Sequence, residues 1–387
     1  MHHGIKKLLL LGAGHAHVHV LSRLAQNRPA DLDVTVLTPY PYQTYSGMTP
    51  GFVAGHYSEQ ECQIPLEPLI RAAGAKWVRA RCTGIDAAER RVRLSPAAQS
   101  RSQDEILPPD LPYQFLSIDT GAVIDRQRLE AEMPGAAAQA LIVRPIEVFA
   151  AHWPRVLEQA QARALSVAVI GAGAGGLELL FAAEQRLRGA GVHSACFTLI
   201  TGGGEPAATY PAGLQARVLR RLKRLNITVL RDTCVGIEQG VVRLGSGTQL
   251  ACDVPILAIG THAPAWLQGS GLALSESGHV QVNEFQQSTS HPEVFAAGDV
   301  ASRTDRPHPR SGVYAVRAGP PLAENLLAAN SGQPLKPHHP PKNTLNLLSC
   351  GAGHAIASWG PLHAEGGWAW RWKDRIDRGF VAKYRRP

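Results

Sequence analysis

Apolar positions in this chain fall into short unbroken blocks and longer stretches with helical spacing, and the two kinds alternate. Ile5–Leu11 is a block that stops at Gly12-Ala13-Gly14. A block of that length against a glycine turn predicts a strand buried on both faces. Val18, Leu21, Leu24 and Ala25 then recur at helical spacing until Asn27-Arg28-Pro29 ends the helix. Asp33–Leu37 (DVTVL) is the next strand, which completes a βαβ unit. A long stretch rich in Pro, Gly and Tyr follows, TPYPYQTYSGMTPGFVAGHY. Strands are predicted at Trp77–Asp86 and Arg90–Leu94, a polar hairpin loop over Ser95–Pro112, and a strand at Phe115–Thr120 that ends in Asp119-Thr120-Gly121.

The plan then repeats. Val167–Ile170 is a buried strand, Gly171-Ala-Gly173-Ala-Gly175-Gly176 a glycine turn, Leu177–Leu187 a helix and Cys196–Ile200 a strand. Gly171 lies 159 residues after Gly12, and PILAIG (Pro255–Gly260) parallels Leu116–Gly121. Two copies of one dinucleotide fold in series are expected. A further block, Glu293–Asp299, leads to a helix that opens after Arg310-Ser311-Gly312. The chain closes with a predicted hairpin, Ala355–Trp359 against Trp368–Trp372, and a helix on which Trp372, Ile376, Phe380 and Tyr384 are each four apart.

Composition changes this picture little. With 387 residues, 44% hydrophobic and 18% charged, the chain has material for two or three domains. The net charge of +8 gathers near the end, at Arg371, Lys373, Arg375, Arg378, Lys383, Arg385 and Arg386. That argues for a local basic patch and against a nucleic-acid surface. The six cysteines are scattered singly, without C-x-x-C or C-x4-C, so a disulfide framework is not expected and a reducing, cytoplasmic setting is. No stretch reaches the roughly 18 apolar residues of a membrane span.

The glycine turns carry the chemistry. In G-x-G-x-x-G the first glycine makes a tight turn and the second lets the backbone approach a pyrophosphate. The third lets helix and strand pack closely, and the helix N-terminus faces the phosphates. The second turn has all three. In the first, His17 stands in the third place, and His15, His17 and His19 alternate. Residues i and i+2 lie about 200° apart on a helix, so only His15 and His19 share a face and no metal site is expected. His15 reads as a hydrogen-bond donor near the phosphates or as plain packing.

These two turns, followed by an aliphatic-Ala-x-Gly-Asp segment at Asp299, resemble the two-dinucleotide-binding-domain flavoproteins of the pyridine nucleotide–disulfide oxidoreductase superfamily over nearly the whole chain. PYQTYSGMTPGFVAGHY and GWAWRWKDRIDRGFVAKY are similar to segments of type II NADH dehydrogenases and sulfide:quinone oxidoreductases. GAGHAHVHVL and ASWG…WRWKDRIDRGF resemble the NADH dehydrogenase-like FAD protein sometimes fused to selenide, water dikinase. The resemblance implies an α/β chain of two Rossmann-like domains plus a small C-terminal hairpin–helix segment. Residues 1–125 and 263–335 would form the FAD-binding domain, 145–262 the NAD(P)-binding domain, and 336–387 a segment that covers the flavin or forms an interface. It assigns FAD to Gly12, Ala13, Gly14, His15, Ala16, Thr38, Cys82, Thr120, Gly121, Gly298, Asp299, Gly312 and Val313. It assigns NAD(P)H to Gly171, Gly173, Gly176 and Gly260, and catalytic roles to Glu178 and Arg310. The activity implied is hydride transfer from NAD(P)H to flavin and onward to a quinone-like acceptor.

The acid expected about 20 residues beyond each glycine turn is replaced by Thr38 in the first half and by Thr201 in the second. Neither an NAD-type acid nor an NADP-type arginine is evident beside Thr201. Cys350, in LLSCGAG, resembles the cysteine region of sulfide:quinone oxidoreductases but lacks its partner cysteine, and reads as a buried small residue. A sulfide or thiol:quinone oxidoreductase, or a flavin-binding accessory protein of selenium metabolism, stay open as alternatives. So do a homodimer and, through the C-terminal helix with its Lys/Arg rim, peripheral contact with the inner face of a membrane. The competing reading of that helix is internal packing.

Overall fold

The computed structural model describes residues 4–96 and 109–385. Its frame is two five-stranded parallel sheets of the same design. In the first, the strand order is Val294–Ala296, Phe115–Ile118, Lys6–Leu11, Leu32–Leu37, Lys76–Val78. In the second it is Leu141–Ile142, Val254–Leu257, Ser166–Ile170, Cys196–Ile200, Thr228–Leu230. Each sheet is flanked by a three-stranded antiparallel meander, Ala80–Asp86/Arg91–Pro96/Asp110–Pro112 and Cys234–Glu238/Val241–Leu244/Gln249–Ala251.

The central strands are buried because helices cover one face of each sheet and the other face is packed beneath its meander. Leu8, Leu10, Val34 and Val36 pack beneath the helices His15–Gln26 and Gly312–Ser331, while Leu9, Leu11 and Leu37 on the opposite face pack with Ile85, Val92 and Val280. Each such side chain contributes roughly 1.5–3 kcal/mol of burial energy. In the second sheet, Val167 and Val169 pack under helix Ala174–Gly189, and Ala168 and Ile170 face the meander side.

The Pro/Tyr-rich stretch ties the sheets together. It holds a short helix, Thr49–Ala54, whose Val53 is buried in the core of the second sheet while Met48 and Tyr57 on either side are buried in that of the first. Gly51 has room only for hydrogen, since a Cβ there would run into the ring of Tyr57.

Several expectations are corrected. Trp77–Asp86 is not one strand: it breaks at Arg79 into Lys76–Val78 on the sheet edge and Ala80–Asp86 in the meander. The loop expected over Ser95–Pro112 lies largely outside the described residues; at its flanks, Arg91–Pro96 and Asp110–Pro112 pair as strands. The predicted closing hairpin has the wrong partner. Ala355–Trp359 pairs with Leu362–Gly366 across a turn at Gly360, whose φ of +55° suits glycine, and on its other side with Leu345–Ser349. The residues given to its second strand, Trp368–Trp372, begin the helix Gly367–Arg385.

The apolar ridge of that helix also divides. Phe380 and Tyr384 are buried at 9% and 3% exposure, while Trp372 and Ile376 are each 44% exposed. Residues four apart advance about 40° around a helix, so a four-member ridge turns through about a third of the circumference and cannot face one surface. Phe380 and Tyr384 meet His15 and His19, with ring centroids 5.9 and 6.1 Å apart, and His19 Nδ1 lies 2.9 Å from the Tyr384 hydroxyl. Phe380→Ala should therefore lower stability by about 3 kcal/mol or more, whereas Trp372→Ala should stay within about 0.5 kcal/mol. Urea unfolding of the two variants checks this.

Candidate functional site

The second glycine turn shows why each glycine is there. A Cβ on Gly171 would collide with the carbonyl oxygen of Ala258, and one on Gly176 with that of Gly171. Those two serve the fold. Gly173 and Gly175 do not. Gly173 caps the helix with extended backbone (φ −73°, ψ 176°), and a Cβ on either residue would meet nothing within 4 Å. Their bareness opens the backbone to the space in front of the turn.

That space is a cleft of about 1240 Å³. Gly171, Gly173 and Gly176 line it, with Glu178, Thr201, Gly260, Asp299, Arg310, Gly312 and Val313. The strand end at Gly298-Asp299 and the amino end of helix Gly312–Ser331 thus face the second glycine turn. An N-terminus there presents positive potential to whatever the cleft holds.

The first turn is built differently. The buried Asp119 carboxylate accepts the amides of Ala16 and His17, both at 2.8 Å on Oδ2, and its own carbonyl accepts the Gly14 amide at 3.1 Å. Gly14 and Gly298 make room for it, since a Cβ on either would come within 2.6 and 2.8 Å of the Asp119 side chain. His17 occupies the third-glycine position by hydrogen bonding: Nδ1 lies 2.6 Å from the Gly12 carbonyl and Nε2 2.8 Å from the Ser117 hydroxyl. Helix and strand are therefore bridged by a ring in place of direct contact. Burial is the main influence on both groups, lowering His17 and raising Asp119 against the pull of the two on each other. Among the described residues, the amides of Ala13 and His15 carry no acceptor, so two donors stay free at this turn.

The other candidates of the first half spread out from this turn. Ala13 is buried among core side chains, while His15 contacts Tyr45 and Phe380, and its Nε2 lies 3.3 Å from the Ser46 hydroxyl. Burial, and then Arg144, depress the His15 imidazole to about 4, so it is neutral at pH 7. Thr38 is buried at the end of its strand, where its carbonyl accepts the Trp77 indole N–H at 3.2 Å. Thr120-Gly121 ends the neighbouring strand with an open Gly121 at φ +72°. Cys82 lies in the meander, its thiol aimed at the Gly84 carbonyl and pushed by burial to about 12.

Glu178 accepts the Ser349 amide at 2.8 Å, and burial raises it above the usual carboxylate range. Arg310 turns its guanidinium to Ser277 and His279, at 3.2 and 3.1 Å. Cys350 is fully buried and pushed up to about 12, first by burial and then by Glu178.

Sequence reasoning missed two groups in the cleft. Arg144 pairs with Asp299 at 3.4 Å across 155 residues, a contact no local pattern announces. Lys373, read as part of a solvated basic rim, is turned inward: Nζ donates to the Gly47 carbonyl and to Asp377, both at 2.7 Å. Burial opposes its charge, but Asp377 and Glu178 outweigh that and keep it protonated. The i,i+4 spacing of Lys373 and Asp377 was the available signal.

The model of the pyridine nucleotide-disulphide oxidoreductase family matches residues 6–319. An NADH dehydrogenase-like protein of Mycobacterium tuberculosis is 30% identical over 268 residues, 64% of this chain and 60% of that protein, so the chain spans about 60% of that relative's length. Among solved structures, the sulfide:quinone oxidoreductase of Aquifex aeolicus superposes with a TM-score of 0.80 at 17% identity, covering 98% of this chain and 91% of that one. NDH2 from Plasmodium falciparum, solved with NADH, gives 0.79 at 16% identity and 99% coverage of both chains.

Asp119→Ala leaves the amides of Ala16 and His17 without an acceptor and should cost about 1–3 kcal/mol. Asp119→Asn, which keeps an acceptor oxygen, should recover most of that. Urea midpoints that are equal for Ala and Asn would remove the cap from the account.

Proposed function

The chain belongs to the pyridine nucleotide-disulphide oxidoreductase family, and from that premise we propose that it is an FAD-dependent NAD(P)H dehydrogenase with a quinone-like electron acceptor. A bound flavin would supply the centre that accepts hydride from the nicotinamide and releases electrons to the acceptor. The observation that carries the reading is the pair Gly173 and Gly175, whose missing side chains the fold does not need and an approaching pyrophosphate does. Their opening into one cleft with Asp299 and Gly312 supports placing both rings there.

The chain's own groups then have distinct tasks. The amides of Ala13 and His15 would donate to phosphate oxygens, and Asp299, steadied by Arg144, would accept from flavin hydroxyls. The amino end of helix Gly312–Ser331 and the Lys373 ammonium supply positive potential where reduction adds negative charge. Glu178 lines the cleft beside the second glycine turn and, as a counter-charge to Lys373, helps hold that ammonium there. A thiol route is disfavoured by Cys350, since a thiol fully buried and raised to about 12 gives little thiolate at neutral pH.

Among the described residues no helix is long and apolar enough to cross a membrane. Trp359, Leu362, Trp368, Trp372 and Ile376 are nevertheless exposed on the closing hairpin and last helix, and Ile376 also lines the cleft. Exposed tryptophans beside Arg371 and Arg375 suit the interface of a bilayer. They support peripheral contact there, with an apolar acceptor entering past Ile376.

Rapid mixing with NADH or NADPH should bleach the flavin of the wild-type protein. Gly173→Val, whose new side chain fills open space, should slow bleaching by about tenfold or more with flavin retained. No bleaching of the wild type within minutes by either nucleotide would sink the dehydrogenase reading and favour a non-catalytic flavin protein. In a flotation assay with anionic liposomes the wild type should rise with lipid, and Trp372→Ala combined with Ile376→Ser should not. A wild type that never floats leaves the last helix as a cover for the cleft alone.

A further inference from the structure

We propose that the Glu205–Arg231 ion pair, on the loops that follow strands Cys196–Ile200 and Thr228–Leu230, makes the second turn selective for NADH over NADPH. The inference rests on the reading above that this turn takes a nicotinamide dinucleotide. Dinucleotide folds that use NAD place an acid at the end of the second strand, on the ribose 2′-hydroxyl, and those that use NADP accommodate the 2′-phosphate with an arginine nearby. Here that strand, Cys196–Ile200, is followed by Thr201. Thr201 lines the cleft, and its hydroxyl is buried without a partner among the described residues. It is too short and too weakly polar to discriminate by charge.

The chain supplies the charge one turn further on. Gly202, Gly203 and Gly204 carry no side chains, and a Cβ on any of them would meet nothing within 4 Å. Glu205 follows. Arg231, just beyond the neighbouring strand Thr228–Leu230, grips it with two bonds, Nε to Oε1 at 2.7 Å and Nη2 to Oε2 at 3.0 Å. The two loops are stitched together, Thr201 N–H to the Leu230 carbonyl at 3.0 Å and Gly202 N–H to that of Asp232 at 2.9 Å. Thr233, two residues past Arg231, lines the cleft beside Thr201 and Gly202. The ion pair therefore stands next to the strand end where such folds seat the adenosine ribose.

The consequence follows from which half of the pair is free. The bidentate geometry fills the arginine fork and fixes the carboxylate. Arg231 also holds Glu205 below the usual carboxylate range, so it is an anion at neutral pH. A ribose diol can donate to that anion. A 2′-phosphate meets like charge and must first displace Glu205 from Arg231. Both side chains are about half exposed, 52% and 50%, so solvent weakens the effect without removing it.

The test is calorimetric titration of the purified full chain with NAD⁺, NADP⁺ and 2′,5′-ADP at low salt, which reads binding and not turnover. Wild type should bind NAD⁺ about tenfold or more tighter than NADP⁺. Glu205→Gln should bring the two within about threefold, chiefly by tightening NADP⁺ and 2′,5′-ADP onto the released arginine. Arg231→Ala should weaken NAD⁺ and leave NADP⁺ weak. An unchanged ratio in Glu205→Gln overturns the proposal. So does a wild type that prefers NADP⁺ and loses that preference in Arg231→Ala, for then the arginine takes the phosphate. A wild type that binds neither nucleotide overturns the nicotinamide reading itself.

Discussion

The Asp119 carboxylate governs the geometry of the first half of this molecule. It takes two amides from the start of helix His15–Gln26 and lies against Gly14 on one side and Gly298 on the other. One buried side chain therefore sets the distance between the first glycine turn, the strand end at Ser117–Asp119 and the returning segment that delivers Asp299. Burying a carboxylate is costly unless its oxygens are hydrogen-bonded; here a helix N-terminus meets much of that need. The same acid offers a pulling charge to His17, and the imidazole closes the arrangement by bonding both Gly12 and Ser117.

The two glycine turns solve one packing problem in two ways. At Gly176 the helix comes so close to the strand end that a single methyl group would strike the Gly171 carbonyl. At His17 the helix stands off, and a hydrogen-bonded ring fills the gap. The bonded arrangement holds a charge and three polar partners in place of bare contact. That makes the first turn tolerant of a large residue only while Asp119 and Ser117 stay small enough and polar enough to receive it.

The last helix belongs to both halves. Phe380 and Tyr384 seal the face of the first helix, while Lys373 and Asp377, two turns and one turn earlier, reach the cleft in front of the second glycine turn. A lysine in such a place stays charged because Asp377 and Glu178 flank it and outweigh the effect of burial. The helix thereby joins packing, cleft electrostatics and an exposed apolar edge at Trp372 and Ile376.

Much of this was legible in the chain itself. Short apolar blocks at glycine turns, repeated 159 residues apart, specify the paired sheets, because a strand buried on both faces has few other sequences open to it. The glycines at 171 and 176 were readable for the same reason: each answers a local steric requirement. Other features depended on partners far away in sequence. The hairpin partner of Ala355–Trp359 was misassigned because a tryptophan-rich stretch suits strand and helix alike, and the turn at Gly360 together with packing made the choice. Lys373 looked like surface charge because its counter-charge at Glu178 and its acceptor at Gly47 are remote in the chain. His17 looked like a defect in a motif, and only folding brought Ser117 and Asp119 to its side. Periodicity and glycine report what a residue needs from its neighbours in the chain. What a buried polar group needs is a partner, and that partner is brought to it by the tertiary structure alone.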